Sequence, residues 1–380
     1  MPLLFLLFAV SVMITDSVSA QYVPGGNAVR SYPQPGGRPG SPQPGRPVPQ
    51  PPQEPPLVTN DIHQTIQNLL AVNSRRIPNT ADSLPSDLLA YCFVYGLDAM
   101  TYTPAARQPQ SEPIYAVGAL CWNFPCRSVT MLRASSNHVF AKVGYGCQPQ
   151  PGAFLAMLGL SEIAPDYEMK VNNREYTIID LIKSEQYQCS RRMDLSMVLV
   201  GLAGYLTPKE EWTNRLNETW NIQRIVTEEL ARRPDQNNAA VTNQLLGFAA
   251  AVRCYERNHI PLDKALMEAS DSLEEYQKFA FSIQNPSGLW HPLFFSYKGD
   301  DPNADATLYA SAHIVRFLVY SLPEDQLSDA RMSRAVTALA SRAAKIQANV
   351  PLGNMSDLQV GGLTTALHAL KIYDERLNPK

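Results

Sequence analysis

From Asp61 onward the chain alternates between two kinds of helical segment, and this alternation limits its fold more than any other feature. Apolar residues recur every three or four positions over about twelve runs: 61–74, 86–102, 112–122, 151–161, 177–187, 194–205, 221–233, 239–257, 262–284, 304–321, 329–348 and 358–377. The even runs are nearly uncharged and rich in small residues, as in GAFLAMLGL (152–160), LSMVLVGLAGYL (195–206) and AAVTNQLLGFAAAV (239–252). The odd runs are amphipathic. The ninth carries Asp263, Lys264, Glu268, Asp271, Glu274, Glu275 and Lys278, and the eleventh carries Asp329, Arg331, Arg334, Arg342 and Lys345. A helix that is apolar all round has to be buried, whereas an amphipathic one keeps a face in water. Strict alternation therefore predicts inner helices enclosed by outer ones: an all-α fold, an α/α toroid of about six helical hairpins. Small residues on the inner set allow close helix–helix approach.

Two short stretches follow strand periodicity instead. Residues 128–144 alternate around Ser135-Ser136-Asn137, and 169–176 around Asn172-Asn173. Asn tolerates the positive φ of a tight turn, so both are expected to be small β-hairpin insertions. Nothing else marks a second domain, and 58–380 reads as one toroid domain.

The N-terminal part differs in kind. Residues 2–15 are almost all apolar, but a bilayer core of ~30 Å needs roughly 20 helical residues. Val18 and Ala20 supply the small residues of a signal-peptidase site, so 1–20 reads as a signal peptide. The stretch before the apolar run lacks Lys and Arg, and a retained anchor is the alternative. Between Pro24 and Pro56 lie 12 of the 31 prolines and a single acid, Glu54. Such a stretch cannot bury enough apolar surface to fold, and 21–57 is expected to be a disordered tether with polyproline-II character. The expected destination is the periplasm or cell envelope, with the mature chain soluble and lacking a transmembrane segment. With 32 basic and 35 acidic residues the formal net charge is -3, which excludes nucleic-acid binding by bulk positive charge.

Gln284, Gly288 and Trp290 fit the spacing Q-x-x-x-G-x-W. A Gln amide can bond backbone groups where a helix stops, Gly permits the turn, and Trp covers apolar surface. At this motif the sequence resembles the α/α-toroid superfamily of terpenoid cyclases and protein prenyltransferases, in which the motif is structural. A closer resemblance rests on ALCWNFPC (119–126), VGYGCQPQPGAFLAMLGLS (143–161), NPSGLWHPLFF (285–295), AHIVRFLVYSLPEDQLSDARMSRAV (312–336) and LTTALHALKIYDERL (363–377). These stretches look like an uncharacterised family of exported bacterial toroid proteins. That resemblance implies fold and compartment and no chemistry.

The catalytic signatures of the enzymatic toroids are missing. There is no D-x-D-D for substrate protonation, no D-x-C for zinc and no C-G-E-Q thioester; G-x-S-x-G is absent as well. Asp300, Asp301 and Asp305 could hold a divalent cation, or Asp305 could simply favour the positive end of its helix. Neither a metal nor a cofactor is expected. The remaining candidates for catalysis are His313, Tyr309, His368 and Asp305. Tyr309 and His313 are four residues apart and share a helix face, as do Thr364 and His368. With Arg316 they form a base, an acid and a cation of the kind a polysaccharide lyase uses. The alternative for each His is a hydrogen-bonded packing residue.

Six cysteines allow three disulfides. Cys92 and Cys254 fall in apolar helices and are expected to be free, while Cys121, Cys126 and Cys147 are the candidates for a bridge. Two functions fit these observations. One is a binding or interaction module whose partner is an envelope polysaccharide or another envelope protein. The other is a polysaccharide-active enzyme, a lyase or hydrolase, with its cleft at the toroid mouth.

Overall fold

Side-chain caps set the helix starts. Asp61, Asn221, Asn238, Asp263, Asn303, Asp329 and Ser356 each accept a hydrogen bond from a backbone amide in the first turn that follows. The computed structural model describes residues 61–104, 112–235, 238–350 and 355–379. The expected signal peptide and tether, residues 1–57, lie outside them. The described residues are mostly helical. They hold α1 (Ile62–Ser74), α2 (Pro85–Tyr95), α3 (Ala116–Cys121), α4 (Ala153–Leu160), α5 (Ile178–Gln188), α6 (Ser196–Tyr205) and α7 (Ile222–Ala231). There follow α8 (Ala239–Arg257), α9 (Lys264–Ile283), α10 (Ala304–Ser321), α11 (Glu324–Leu327), α12 (Ala330–Asn349) and α13 (Asp357–Leu377). No helix among these residues is long and apolar enough to cross a membrane.

Burial follows the two kinds of segment. Every residue of α6 from Ser196 to Ala203 is buried, as is every residue of α4 from Ala153 to Leu158. In α9 the buried positions are Leu266, Ala269, Leu273, Gln277 and Ala280, a single stripe at three- and four-residue spacing. The apolar helices touch in chain order: α2 packs on α4, α4 on α6, α6 on α8, α8 on α10 and α10 on α13, and α13 also packs on α2. The amphipathic helices lie against them, with α7 and α9 on α8, and α1 and α12 on α13. At the α4–α6 contact a side chain at Gly201 would put its Cβ 2.8 Å from Leu155 Cγ, so the close approach requires glycine there. An anchor between the two sets is Glu229 of α7, whose buried carboxylate accepts from the Leu195 amide, the Ser196 hydroxyl and the Arg232 guanidinium.

Four antiparallel strand pairs interrupt the helices: β1 (Met100–Thr101) with β2 (Ile114–Tyr115), β3 (Leu132–Ser135) with β4 (His138–Ala141), β5 (Glu168–Val171) with β6 (Arg174–Thr177), and β7 (Trp212–Thr213) with β8 (Thr219–Trp220). The second and third are the expected hairpins, tightened to four-residue strands. Asn172 and Asn173 both take positive φ, 52° and 62°, in the turn. The expected helix 86–102 ends early. Gly96 at φ 56° turns the chain out after Tyr95, and Met100–Thr101 becomes β1. Likewise only 116–121 of the run 112–122 is helical, because Ile114–Tyr115 pairs with β1 as β2.

The Q-x-x-x-G-x-W segment finishes α9. The Gln284 amide donates to the carbonyls of Gly288 (2.9 Å) and Arg331 (3.0 Å). The fully buried Trp290 donates its indole N–H to the Ala280 carbonyl at 2.7 Å, one of the last four carbonyls of α9 and so without a partner inside the helix. Gly288, at φ 91°, turns hard against α12, where a Cβ would meet the Arg334 carbonyl oxygen at 2.6 Å.

All six cysteines are free and buried. The expected bridge among Cys121, Cys126 and Cys147 is not present. The Cys126 and Cys147 thiols donate instead to the carbonyls of Phe124 and Thr130, both at 3.6 Å. Burial pushes the Cys126 thiol up to about 12, so it stays protonated at neutral pH.

Candidate functional site

Tyr309, His313, Arg316 and Tyr320 recur at four-, three- and four-residue intervals and so share one face of α10. The Tyr309 and His313 rings sit 4.6 Å apart. Arg316 Nη2 lies 3.3 Å from His313 Nδ1. An arginine cannot accept a hydrogen bond, so Nδ1 is the acceptor and the neutral ring carries its proton on Nε2. The same Nη2 donates to Asn243 Oδ1 on α8 at 2.7 Å, and Asn243 Nδ2 donates to Gln150 Oε1 at 3.2 Å. This chain of polar groups runs across α10, α8 and the residues before α4. Burial first, and Arg316 second, hold His313 well below the ordinary imidazole range. It is neutral at physiological pH. No carboxylate forms an ion pair with Arg316 among the described residues.

His368 belongs to a different environment. Its Nε2 is 3.2 Å from the Tyr320 hydroxyl, its ring is 5.7 Å from that of Phe93, and its Nδ1 is buried without a hydrogen-bond partner among the described residues. Burial, with Arg316 and Lys371 adding to it, brings this imidazole down to about 3. Asp305 lies in the first turn of α10, where its carboxylate accepts from Gln359 Nε2 at 2.9 Å and so ties α10 to α13. Thr364 is turned back on its own helix, donating to the Val360 carbonyl at 2.7 Å.

Of the four candidates, then, the structure brings Tyr309 and His313 together with Arg316, attaches His368 to Tyr320, and engages Asp305 with Gln359. Asp301 accepts from the Asn303 amide and Asp300 from the Ser287 hydroxyl, both within the loop. Among the described residues no three His, Cys, Asp or Glu side chains gather as a cation would require.

Two features were not read from the sequence. Glu185 on α5 is 4% exposed, lines a cavity of about 50 Å³, and has its carboxyl pushed up to about 7 by burial. Arg253 on α8 and Arg376 on α13 line a cavity of about 520 Å³ that does not include His313. Arg253 follows the apolar stretch of α8 and shares the end of that helix with Glu256 and Arg257, so no sequence pattern set it apart. No protein-family model matches this chain, and no curated protein sequence matches it significantly.

Proposed function

We propose that this chain is an exported α/α-toroid protein that serves the cell envelope as a binding or interaction module, with an envelope polysaccharide or another envelope protein as its partner. The toroid reading is supported by the order of contacts, in which six apolar helices touch in sequence and the last touches the first. The Q-x-x-x-G-x-W segment capping α9 supports it as well. The non-catalytic reading rests on one observation: both interior histidines are buried and neutral, with Arg316 on one and Tyr320 on the other. General acid–base work at neutral pH needs a group that exchanges protons in that range, and these two do not.

The second reading, a polysaccharide-active enzyme, draws on the contact of Tyr309, His313 and Arg316. Incubating the purified chain with envelope and algal polysaccharides separates the two. Binding without growth of unsaturated-product absorbance and without new reducing ends is the expected result. Product formation that disappears in His313→Ala would establish the enzyme instead.

A further inference from the structure

We propose that the cavity of about 520 Å³ at the C-terminal ends of α8, α10 and α13 binds a small ligand through an oxyanion, a carboxylate or phosphate group, held by Arg253 and Arg376. The volume falls in the range of small-molecule sites, roughly 300–1,000 Å³. The argument is one of charge and unused donors. Arg376 is fixed in place, because its Nη1 donates to the carbonyls of Val319 and Leu322, where α10 ends. Arg253 makes no hydrogen bond and no ion pair among the described residues, and only approaches the Tyr320 ring, 5.8 Å from its centroid. Its planar fork of N–H donors suits an oxyanion that accepts two parallel hydrogen bonds.

The other cations of the cavity are already neutralised. Lys278 pairs with Glu274 at 3.3 Å, and Arg331 with Asp329 at 2.9 Å. Arg253 and Arg376 have no such partner. They also oppose one another: burial first, and Arg376 second, disfavour the charged form of Arg253. The carboxylates that favour these charges are Glu256 for Arg253 and Glu324 for Arg376, neither within ion-pair distance. An entering oxyanion would relieve this repulsion in a partly desolvated place, where charge pairs count for more than in bulk water. Beside the cations stand Ser321, whose oxygen accepts from Gln277 Nε2 at 3.0 Å, and the aromatic walls of Tyr320 and Phe281. The cavity thus offers polar recognition at one place and apolar contact around it. This inference does not depend on His313.

The test is calorimetric titration of the purified chain with sodium phosphate and, separately, with glucuronate, at constant ionic strength balanced by chloride. We expect saturable binding of one probe or both, which identifies phosphate or carboxylate as the group recognised. Arg253→Gln removes no hydrogen bond from the fold and should weaken binding at least tenfold. Glu256→Gln removes the opposing rim carboxylate and should tighten it, which decides the matter even if the arginine variant folds poorly. No saturable binding by either probe, or equal binding by the native chain and Arg253→Gln, overturns the proposal.

Discussion

Replacing Trp290 by alanine lowers the unfolding free energy by about 4–5 kcal/mol. Truncating a fully buried Trp in a packed core costs roughly 3–5 kcal/mol through lost burial and the cavity left behind. Here the side chain is completely buried and also carries the 2.7 Å hydrogen bond to Ala280. Its loss leaves a carbonyl at the end of α9 without a partner, which adds about 1 kcal/mol. Trp290→Phe keeps most of the apolar contact and loses only the donor, so it should cost about 1–2 kcal/mol. Urea unfolding of the two variants measures both values. Equal, small losses would mean that the segment does not hold α9 against its neighbours.

Between pH 5 and pH 8 the chain should lose roughly 2–3 kcal/mol of stability at Glu185. Burial raises this carboxyl from 4.5 to about 7. A group whose folded pKa lies above its unfolded one binds its proton more tightly when folded. Its contribution is therefore full below the unfolded value, declines as pH rises, and is gone above the folded value. Each tenfold gain in proton affinity on folding is worth about 1.4 kcal/mol, which sets the size of the change. Glu185→Gln keeps the shape and cannot ionise, so the difference between the two unfolding curves isolates this one group. A native chain and a Gln variant with parallel pH profiles would show that the carboxyl is hydrated rather than buried.

How much of this was legible in the sequence depended on the range of the signal. Helix character is local: the small apolar residues of 195–206 have no polar face to offer water, and α6 is buried along its length. The stripe of α9 and the Asn172-Asn173 turn were readable for the same reason, since each depends on neighbours a few residues away. The two-residue strands β7 and β8 are too short to have a period, and α11 is a single turn. The interior polar groups were legible only in part. Tyr309 and His313 sit one turn apart on one helix, so their contact could be foreseen. What surrounds them could not. Asn243 reaches Arg316 across 73 residues of chain, Gln359 reaches Asp305 across 54, and His368 meets Tyr320 across 48. Cys92 and Cys254 are free as their apolar helices suggest, but the bridge expected among Cys121, Cys126 and Cys147 does not form. Turn spacing indicates which thiols can be near each other and says nothing of the carbonyls of Phe124 and Thr130 that receive Cys126 and Cys147.

The central claim is that the uncharged helices lie enclosed by the amphipathic ones, and hydrogen exchange read by mass spectrometry tests it most directly. Amides in the most deeply buried elements open only with the whole fold, whereas surface elements open locally. Peptides from α6 and α10 should keep their hydrogens longest, while those from α9 and α12, each wetted along one side, exchange earlier. If α9 and α12 outlast α6 and α10, the nesting is wrong and the toroid with it.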